Sequence, residues 1–300
     1  MYFMKINHLD IIAVVVTYKP LVYQFKEILQ RHKVNFNKII LVNNSPEISL
    51  ESLKSSQVLI INNKTNIGLA AALNKGIFEA KKIGCKMIAL FDQDTRLESN
   101  FVKKMSQSIN NYKSLKPVAV YSPVYHNHII NETAKHISFK PFRLIRQSVS
   151  ENKSAQPYYV ITSGSFIPCD VFEDIGLMRE ELFIDFVDID WCLRARTKGY
   201  EIVAFNRVLI DHFLGDYSVN FLGHKYPIHS PLRMYYYFRN SIYLYRLKEI
   251  ELNWRFVDAT RNIFRFIFYM LLVKNRFIYL KYIMKGYYHG LIKNMGRLDE

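Results

Sequence analysis

An α/β architecture, a mostly parallel sheet flanked by helices, is what the first 95 residues predict. Two patterns predict it: apolar runs too short for helices, and helical stretches that alternate with them. A third pattern points to function. Each apolar run ends in polar residues, and sheets of this kind bind ligands at the carboxyl ends of their strands.

The elements follow in order. Ile11-Ile12-Ala13-Val14-Val15-Val16 is apolar at every position, as in a strand buried on both faces. A helix is expected around Val22 to His32, then a strand over Lys38-Ile39-Ile40-Leu41-Val42 and a polar turn at Asn43-Asn44-Ser45-Pro46. A strand at Val58-Leu59-Ile60-Ile61, a helix from Leu69 to Ile83 and a strand Met87-Ile88-Ala89-Leu90-Phe91 complete this half. Farther on, a helix is expected around Asn100 to Tyr112, with β-like pieces at Val118 to Val124, Tyr158 to Thr162 and Ile202 to Ile210. Residues 126–156 are polar and without clear period, which predicts a long loop.

Residues 233–297 differ from the rest, with thirteen Lys/Arg, three acids, seventeen aromatics and no proline. They read as basic, aromatic helices. Aromatics beside cations suit a membrane's headgroup boundary; the alternative is a pair of helices that cap the core, or an oligomer interface. We therefore divide the chain into 1–225, with a nucleotide-binding half 1–95 and an acceptor half 96–225, and a helical region 226–300.

Composition excludes several classes. Half of the residues are hydrophobic and 22% are charged, which rules out a disordered chain. The longest apolar runs, Ile11 to Val16 and Phe266 to Val273, fall well short of the ~20 residues of a spanning helix. Three cysteines without a CxxC predict a reducing compartment, so the expected location is cytoplasmic. The net charge of +15 calls for an anionic partner.

Four constellations carry chemistry. Asp92-Gln93-Asp94 follows a strand directly, and two carboxylates so close repel unless a divalent cation such as Mg²⁺ or Mn²⁺ joins them; a solvated turn is the alternative. Asn66-Ile67-Gly68-Leu69-Ala70-Ala71-Ala72-Leu73-Asn74 opens a helix whose free amides suit a phosphate, unless Asn66 merely caps it. Asp185, Asp188 and Asp190 stand among Phe, Ile, Val and Trp191, where an ion without partners is costly. Asp188, in the first turn of an expected helix, suits a general base; the alternative is helix-terminal charge paired with Arg194 or Arg196. Asp211-His212-Phe213-Leu214-Gly215-Asp216 ends another β-like run, and His126 and His128 are read as structural.

In order, these pieces resemble the inverting family 2 glycosyltransferases with the Rossmann-like GT-A fold. The matching elements are Val16 to Pro20, Val42 to Ser45, Asn66 to Asn74, Phe91 to Asp94, Gly164-Ser165, Leu182 through Arg196, and His212. The Asp-Gln-Asp form, the Phe183 to Ala195 stretch and His-x-x-Gly-Asp are most similar to the rhamnosyltransferase branch, which builds O-antigens, capsules and wall polysaccharides.

The resemblance implies roles. Thr17, Tyr18, Asn43, Asn44, Asn66, Gly68, Asn74, Asp92, Gln93 and Arg239 would bind the donor nucleotide. Asp94 and His212 would hold Mn²⁺ or Mg²⁺, and Asp188 would be the base. Gly164, Ser165, Asp185, Asp190 and Trp191 would line the acceptor site. The donor implied is dTDP-L-rhamnose, with a UDP-sugar (hexosyl or galactofuranosyl) as the alternative, because many members carry Asp where this chain has Asn43. The acceptor implied is a glycan on a polyprenyl diphosphate, reached from the anionic inner face of the plasma membrane. A nucleotidyltransferase would need a Gly-rich phosphate loop, and residues 1–30 contain no Gly. A nucleic-acid-binding module is suggested by charge alone and leaves the buried carboxylates unexplained; no nucleic acid partner is expected.

Overall fold

The structure, a computed structural model, describes residues 2, 4–127, 131–149, 154–212, 217–221 and 224–298, and of residues 212, 217–221, 224, 225 and 227 the backbone alone. The first half runs β1 (Ile11–Thr17), α1 (Val22–Asn35), β2 (Ile39–Asn43), β3 (Val58–Asn62), α2 (Leu69–Ile83) and β4 (Met87–Asp92). Next come α3 (Phe101–Asn111), β5 (Val118–Asn127), β6 (Glu132–Thr133), β7 (His136–Lys140), β8 (Arg143–Gln147), β9 (Ser154–Ala155) and β10 (Ser165–Pro168). They lead into α4 (Val171–Ile175), α5 (Val187–Thr197), β11 (Glu201–His212), β12 (Tyr217–Phe221) and β13 (His224–Ile228). The chain closes with α6 (Pro231–Tyr245), α7 (Leu252–Leu272) and α8 (Arg276–Ile292).

The main sheet has the order β3-β2-β1-β4-β10-β5-β11-β9, with β6 beside β5. Its β3-β2-β1-β4 half is parallel, and β10 runs antiparallel between β4 and β5. All seven residues of β1 are buried because the strand feeds two cores. Ile12, Val14 and Val16 meet Leu73 and Ile77 of α2, while Ile11, Ala13 and Val15 meet Phe25, Leu29, Phe101 and Met105. At Gly76 a Cβ would come 2.3 Å from Val14, so α2 lies directly on the sheet, as the small residues of its first turns anticipate.

Two sequence expectations need correction. Residues 136–147 form the β7–β8 hairpin rather than a loop. Contacts beyond the local sequence fix it: Tyr158 N–H donates to the Ile137 carbonyl at 2.6 Å, and the Phe139 ring lies 4.5 Å from that of Tyr158. The strand expected at Tyr158 to Thr162 instead forms at Ser165–Pro168, after Gly164 turns with φ +83°. The basic C-terminal stretch is helical as expected, and makes three helices, α6, α7 and α8. Gly286 and Gly290 allow α8 onto α6, where a Cβ would meet the Tyr235 or Arg239 carbonyl oxygen at 2.5 or 2.6 Å.

Candidate active site

Strand register assembles one edge of the site. β1 pairs Thr17 with Asn43 and Val16 with Asp92, and β2 pairs Asn43 with Asn62, so these polar ends stand side by side. Gln93 ties two of them together: its Oε1 accepts from Tyr18 N–H at 2.8 Å and its Nε2 donates to the Tyr18 carbonyl at 3.1 Å. Tyr18 stays exposed beside the half-buried Asp92 and Asp94.

Behind this edge lies an asparagine network. Asn43 Nδ2 donates to the Ile48 carbonyl and to Asn62, and its Oδ1 accepts from Ser45 N–H. Asn44 donates to Asn66 and accepts from Ile67 N–H and Asn63. The side chains of Thr17, Asn43 and Asn44 are buried, so they lie behind the strand ends and hold them in place. The donor-nucleotide contact expected of Asn43 meets a buried side chain whose carbonyl oxygen and amide are both bonded to internal partners. Asn74 also turns away, holding Met178 through its backbone N–H and carbonyl.

The acid loop forms the opposite wall. Phe183, Asp185 and Phe186 adopt φ of 65°, 62° and 63°, a region that L-residues occupy only when their surroundings impose it. Asn240 imposes it: its Nδ2 donates to the carbonyls of Leu182, Ile184 and Asp185 at 2.8–2.9 Å. Arg239, fully buried, donates to the carbonyls of Glu181, Leu182 and Gly296. This corrects the expected diphosphate contact, because the guanidinium is a brace inside the protein. Asp185 is held by Arg233 Nε at 3.1 Å.

From this loop α5 begins, and Asp188 lies in its first turn. Burial, with the charges of Asp92 and Asp185 adding, pushes its carboxyl up to about 6. Asp92, Asp185 and Asp188 therefore stand near one another, between the strand ends of β1, β2 and β4 and the acid loop. Asp190, two residues on, points the other way. It is completely buried between Arg179 Nε at 3.1 Å and Arg194 Nε at 3.0 Å. Trp191 is buried too, its indole N–H donating to the Gly176 carbonyl. Neither side chain reaches the cleft, against expectation. Ser165 likewise spends its hydroxyl on the Ile161 carbonyl, and Gly164 packs where a Cβ would meet Pro123 at 2.7 Å. Nothing in the sequence marks Arg179 or Arg233, while Arg239-Asn240, after the aromatic run Tyr235 to Phe238, stands out as a basic element, but for a diphosphate contact rather than for bracing a loop.

Among the described residues no three His, Cys, Asp or Glu side chains are arranged so that together they could hold a metal ion. Asp94 offers a carboxylate at the strand end, and backbone bonds between Arg96 and Asp211 bring β11 and residue 212 beside it. The His212 side chain itself lies outside the described residues. A cation that bridges to phosphate oxygens needs only one or two protein ligands, so these residues fit.

A carboxylate pair at a parallel-strand edge, facing a raised-pKa acid at a helix start, defines a group-transfer enzyme of the glycosyltransferase class. The chain belongs to glycosyl transferase family 2, whose sequence model matches residues 11–176. It is 31% identical over 282 residues to the dTDP-rhamnosyl transferase RfbF of Shigella flexneri, covering 91% of this chain and 92% of that one. Among solved structures it is similar to S. aureus TarS 1-349 in complex with UDP-GlcNAc, with TM-score 0.57, 13% identity, and 94% and 80% of the two chains covered. It is also similar to GalNAc-T7 with UDP, GalNAc and Mn²⁺, with TM-score 0.55 and 12% identity. That match covers 85% of this chain and 54% of GalNAc-T7, so the chain spans about half of that protein's length.

Proposed function

We propose that the enzyme transfers L-rhamnose from dTDP-L-rhamnose, with inversion, onto a growing cell-surface glycan carried on a polyprenyl diphosphate. The observation that carries the mechanism is Asp188, a half-buried carboxyl held near neutral pKa opposite the donor edge. Its Oδ1 accepts from Ile189 N–H, which leaves Oδ2 to take the proton of the acceptor hydroxyl. A base with this pKa is ionised at neutral pH yet basic enough to assist attack, an effect worth ~10²–10⁴ in rate. The hydroxyl then attacks the anomeric carbon from the face opposite the nucleotide, in one displacement.

Tyr18, Gly68 and the Asp92–Asp94 turn present the donor surface. A divalent cation at Asp94 and His212, Mn²⁺ or Mg²⁺, would supply charge against the leaving diphosphate; Mn²⁺ in GalNAc-T7 and the chemistry of these residues support that reading. The rhamnose assignment is supported by the likeness to RfbF over most of both chains. It draws nothing from Asn43.

Attachment to the inner face of the plasma membrane belongs to the same reading. No helix of the described residues is long and apolar enough to cross a membrane. Yet α7 exposes Phe256, Ile263, Phe264, Ile267 and Leu271, and α8 exposes Phe277, Tyr288 and Leu291 beside Lys281, Lys285 and Lys293. So large an apolar area is unusual on a soluble monomer, and cations beside it suit an anionic leaflet.

The deciding experiment incubates the protein with dTDP-rhamnose, UDP-glucose, UDP-galactose and UDP-galactofuranose, with Mn²⁺, Mg²⁺ or excess chelator, and identifies the released nucleotide. Release of dTDP alone, lost in chelator, is expected. Release of UDP would overturn the donor, and full activity in chelator would overturn the cation.

A further inference from the structure

At the end of β4 opposite Asp92, two thiols face each other. Cys85 precedes β4 and Cys169 follows β10, and their Sγ atoms lie 3.0 Å apart. The strands hold them there. β4 and β10 pair antiparallel as far as Met87 and Pro168, and Cys169 N–H then donates to the Lys86 carbonyl at 2.9 Å. A second link spans the same junction: Lys81, near the end of α2, bridges to Glu173 of α4 at 3.1 Å. Sulfurs in a disulfide stand about 2.05 Å apart, so closure asks for a shift of only about 1 Å.

The two thiols are unequal. A hydrogen bond from Cys169 stabilises the Cys85 thiolate and, with the charge of Lys81, holds the Cys85 thiol below its ordinary value. The same bond, together with burial, pushes Cys169 up. Both side chains are half-buried, and Gly84, which ends α2 just before Cys85, is exposed, with open space where a Cβ would stand. A small oxidant therefore has access to Cys85. Cys192 differs on each count: it is buried in α5, and burial pushes its thiol up to about 12.

We propose that Cys85 and Cys169 form a redox-active dithiol that a low-molecular-weight disulfide oxidises to an intramolecular disulfide. The Cys85 thiolate attacks one sulfur of the small disulfide, whose S–S bond breaks and releases a small thiolate. Cys169 is then freed from the bond and charge that held its proton. It gives that proton to the released thiolate and attacks the Cys85 sulfur, breaking the mixed disulfide and expelling the second small thiolate. Two protein thiols are oxidised, and one small disulfide is reduced to two thiols. In a reducing compartment the pair stays open, and it closes when the thiol pool is oxidised. The closed bond spans 84 residues and ties the turn after α2 to the start of α4. A cross-link over so long a loop restricts the unfolded chain strongly and so stabilises the fold. Asp92, at the other end of β4, lies roughly 20 Å along the strand, so the site is not distorted.

Incubation of the full chain with oxidised glutathione, followed by alkylation in denaturant and peptide mass mapping, reads the pair directly. Reduced protein should take up three alkyl groups and oxidised protein one, on Cys192, with a peptide cross-linked through Cys85 and Cys169 that dithiothreitol abolishes. Tm should rise by about 5 °C on oxidation, and Cys85→Ser and Cys169→Ser should each abolish the rise. Cys169→Ser should trap glutathione on Cys85, whereas Cys85→Ser should take it up on Cys169 at least about tenfold more slowly. Three free thiols after oxidation, a cross-link through Cys192 or between two chains, or an unchanged Tm in the cross-linked protein would overturn the proposal. Equal or faster uptake in Cys85→Ser would overturn the order of attack. These readouts require no sugar transfer, so the dithiol stands or falls apart from the transferase reading.

Discussion

Leu69 N–H donates to the carbonyl oxygen of Phe183 at 2.6 Å, and this bond joins the two walls of the cleft. On one side is the first turn of α2, at the donor edge; on the other is the left-handed acid loop that ends in Asp188. Gly68 makes the approach possible. Its φ is +85°, and a Cβ there would lie 2.5 Å from the Phe183 ring and 2.7 Å from its carbonyl oxygen. Gly68→Ala is therefore expected to push the walls apart. Both backbone strain and a clash with main chain are involved, so stability should fall by about 2–3 kcal/mol. Donor affinity should fall with it, measured by urea denaturation and nucleotide titration. Unchanged donor affinity in folded Gly68→Ala would separate the junction from the site.

A second expectation concerns Asp188. Its carboxyl must be ionised to accept a proton, and burial places its pKa at about 6. kcat/KM should thus drop about tenfold per pH unit below that value. Asp188→Asn should lower kcat by orders of magnitude while leaving donor affinity nearly constant. The sign for stability is opposite to that of a salt-bridged acid. A raised pKa means that the folded state holds the proton more tightly, so stability is lost as pH rises from the usual carboxylate range through 6. At pH 7.5 Asp188→Asn should be the more stable protein, by about 1–2 kcal/mol after allowance for partial exposure.

How much of this was legible depended on whether the local pattern dictated the environment. β1 and α2 could be read because burial on two faces and close helix–sheet contact leave compositional marks, namely unbroken apolar residues and a run of small ones. That Asp188 meets the cleft while Asp190 turns inward could not be read. They are identical in type and equally embedded among apolar residues, but a helix turns 100° per residue, so two positions along puts them on nearly opposite faces. One meets the cleft and the other meets Arg179 and Arg194. The arginines were misleading in a similar way. Arg239 binds backbone carbonyls of a distant loop, and nothing in its neighbours distinguishes that from a phosphate contact. The β7–β8 hairpin was hidden because its stabilising partners, Tyr158 and Asn253, lie outside it.

Asp190 yields a third expectation. Asp190→Asn removes the carboxylate from two arginines that are themselves mostly buried, and breaking such a triad costs about 3–5 kcal/mol. Urea denaturation should show the loss. The folded fraction should retain its acceptor KM within a few-fold. A KM raised tenfold or more, with stability intact, would return Asp190 to the acceptor site.

His32 gives a pH dependence of the opposite sign to Asp188. It is wholly buried against Phe91, its Nε2 bonded to the Thr95 carbonyl, and burial lowers its pKa to about 4. Folding then requires the neutral ring. The stability it contributes is complete above the unfolded value of 6.5 and is lost as pH falls toward 4, by up to about 3 kcal/mol. Urea midpoints should decline through that window, and His32→Gln should flatten the decline. An equally steep decline in the variant would place the sensitivity elsewhere.

The apolar face of α7 and α8 carries the last expectation. Phe264 and Leu271, 68% and 71% exposed, stand on α7 about two turns apart on one side of the helix, and Phe277 on α8 is 74% exposed. Lys281, Lys285 and Lys293 are exposed along α8. Each cation near an anionic leaflet contributes roughly 1 kcal/mol, and inserted aromatic and aliphatic side chains add burial that salt does not screen. Binding to vesicles should accordingly need anionic lipid, weaken at high salt, and retain a residue set by the apolar contacts. Phe264→Ser with Leu271→Ser should remove that residue, whereas Lys281→Gln with Lys285→Gln should remove mainly the salt-sensitive part. Co-sedimentation with phosphatidylglycerol vesicles at low and high salt measures both. Protein left in the supernatant at low salt would mean that this face meets another protein surface, and size-exclusion chromatography with light scattering would then show whether that surface is a second copy of the chain.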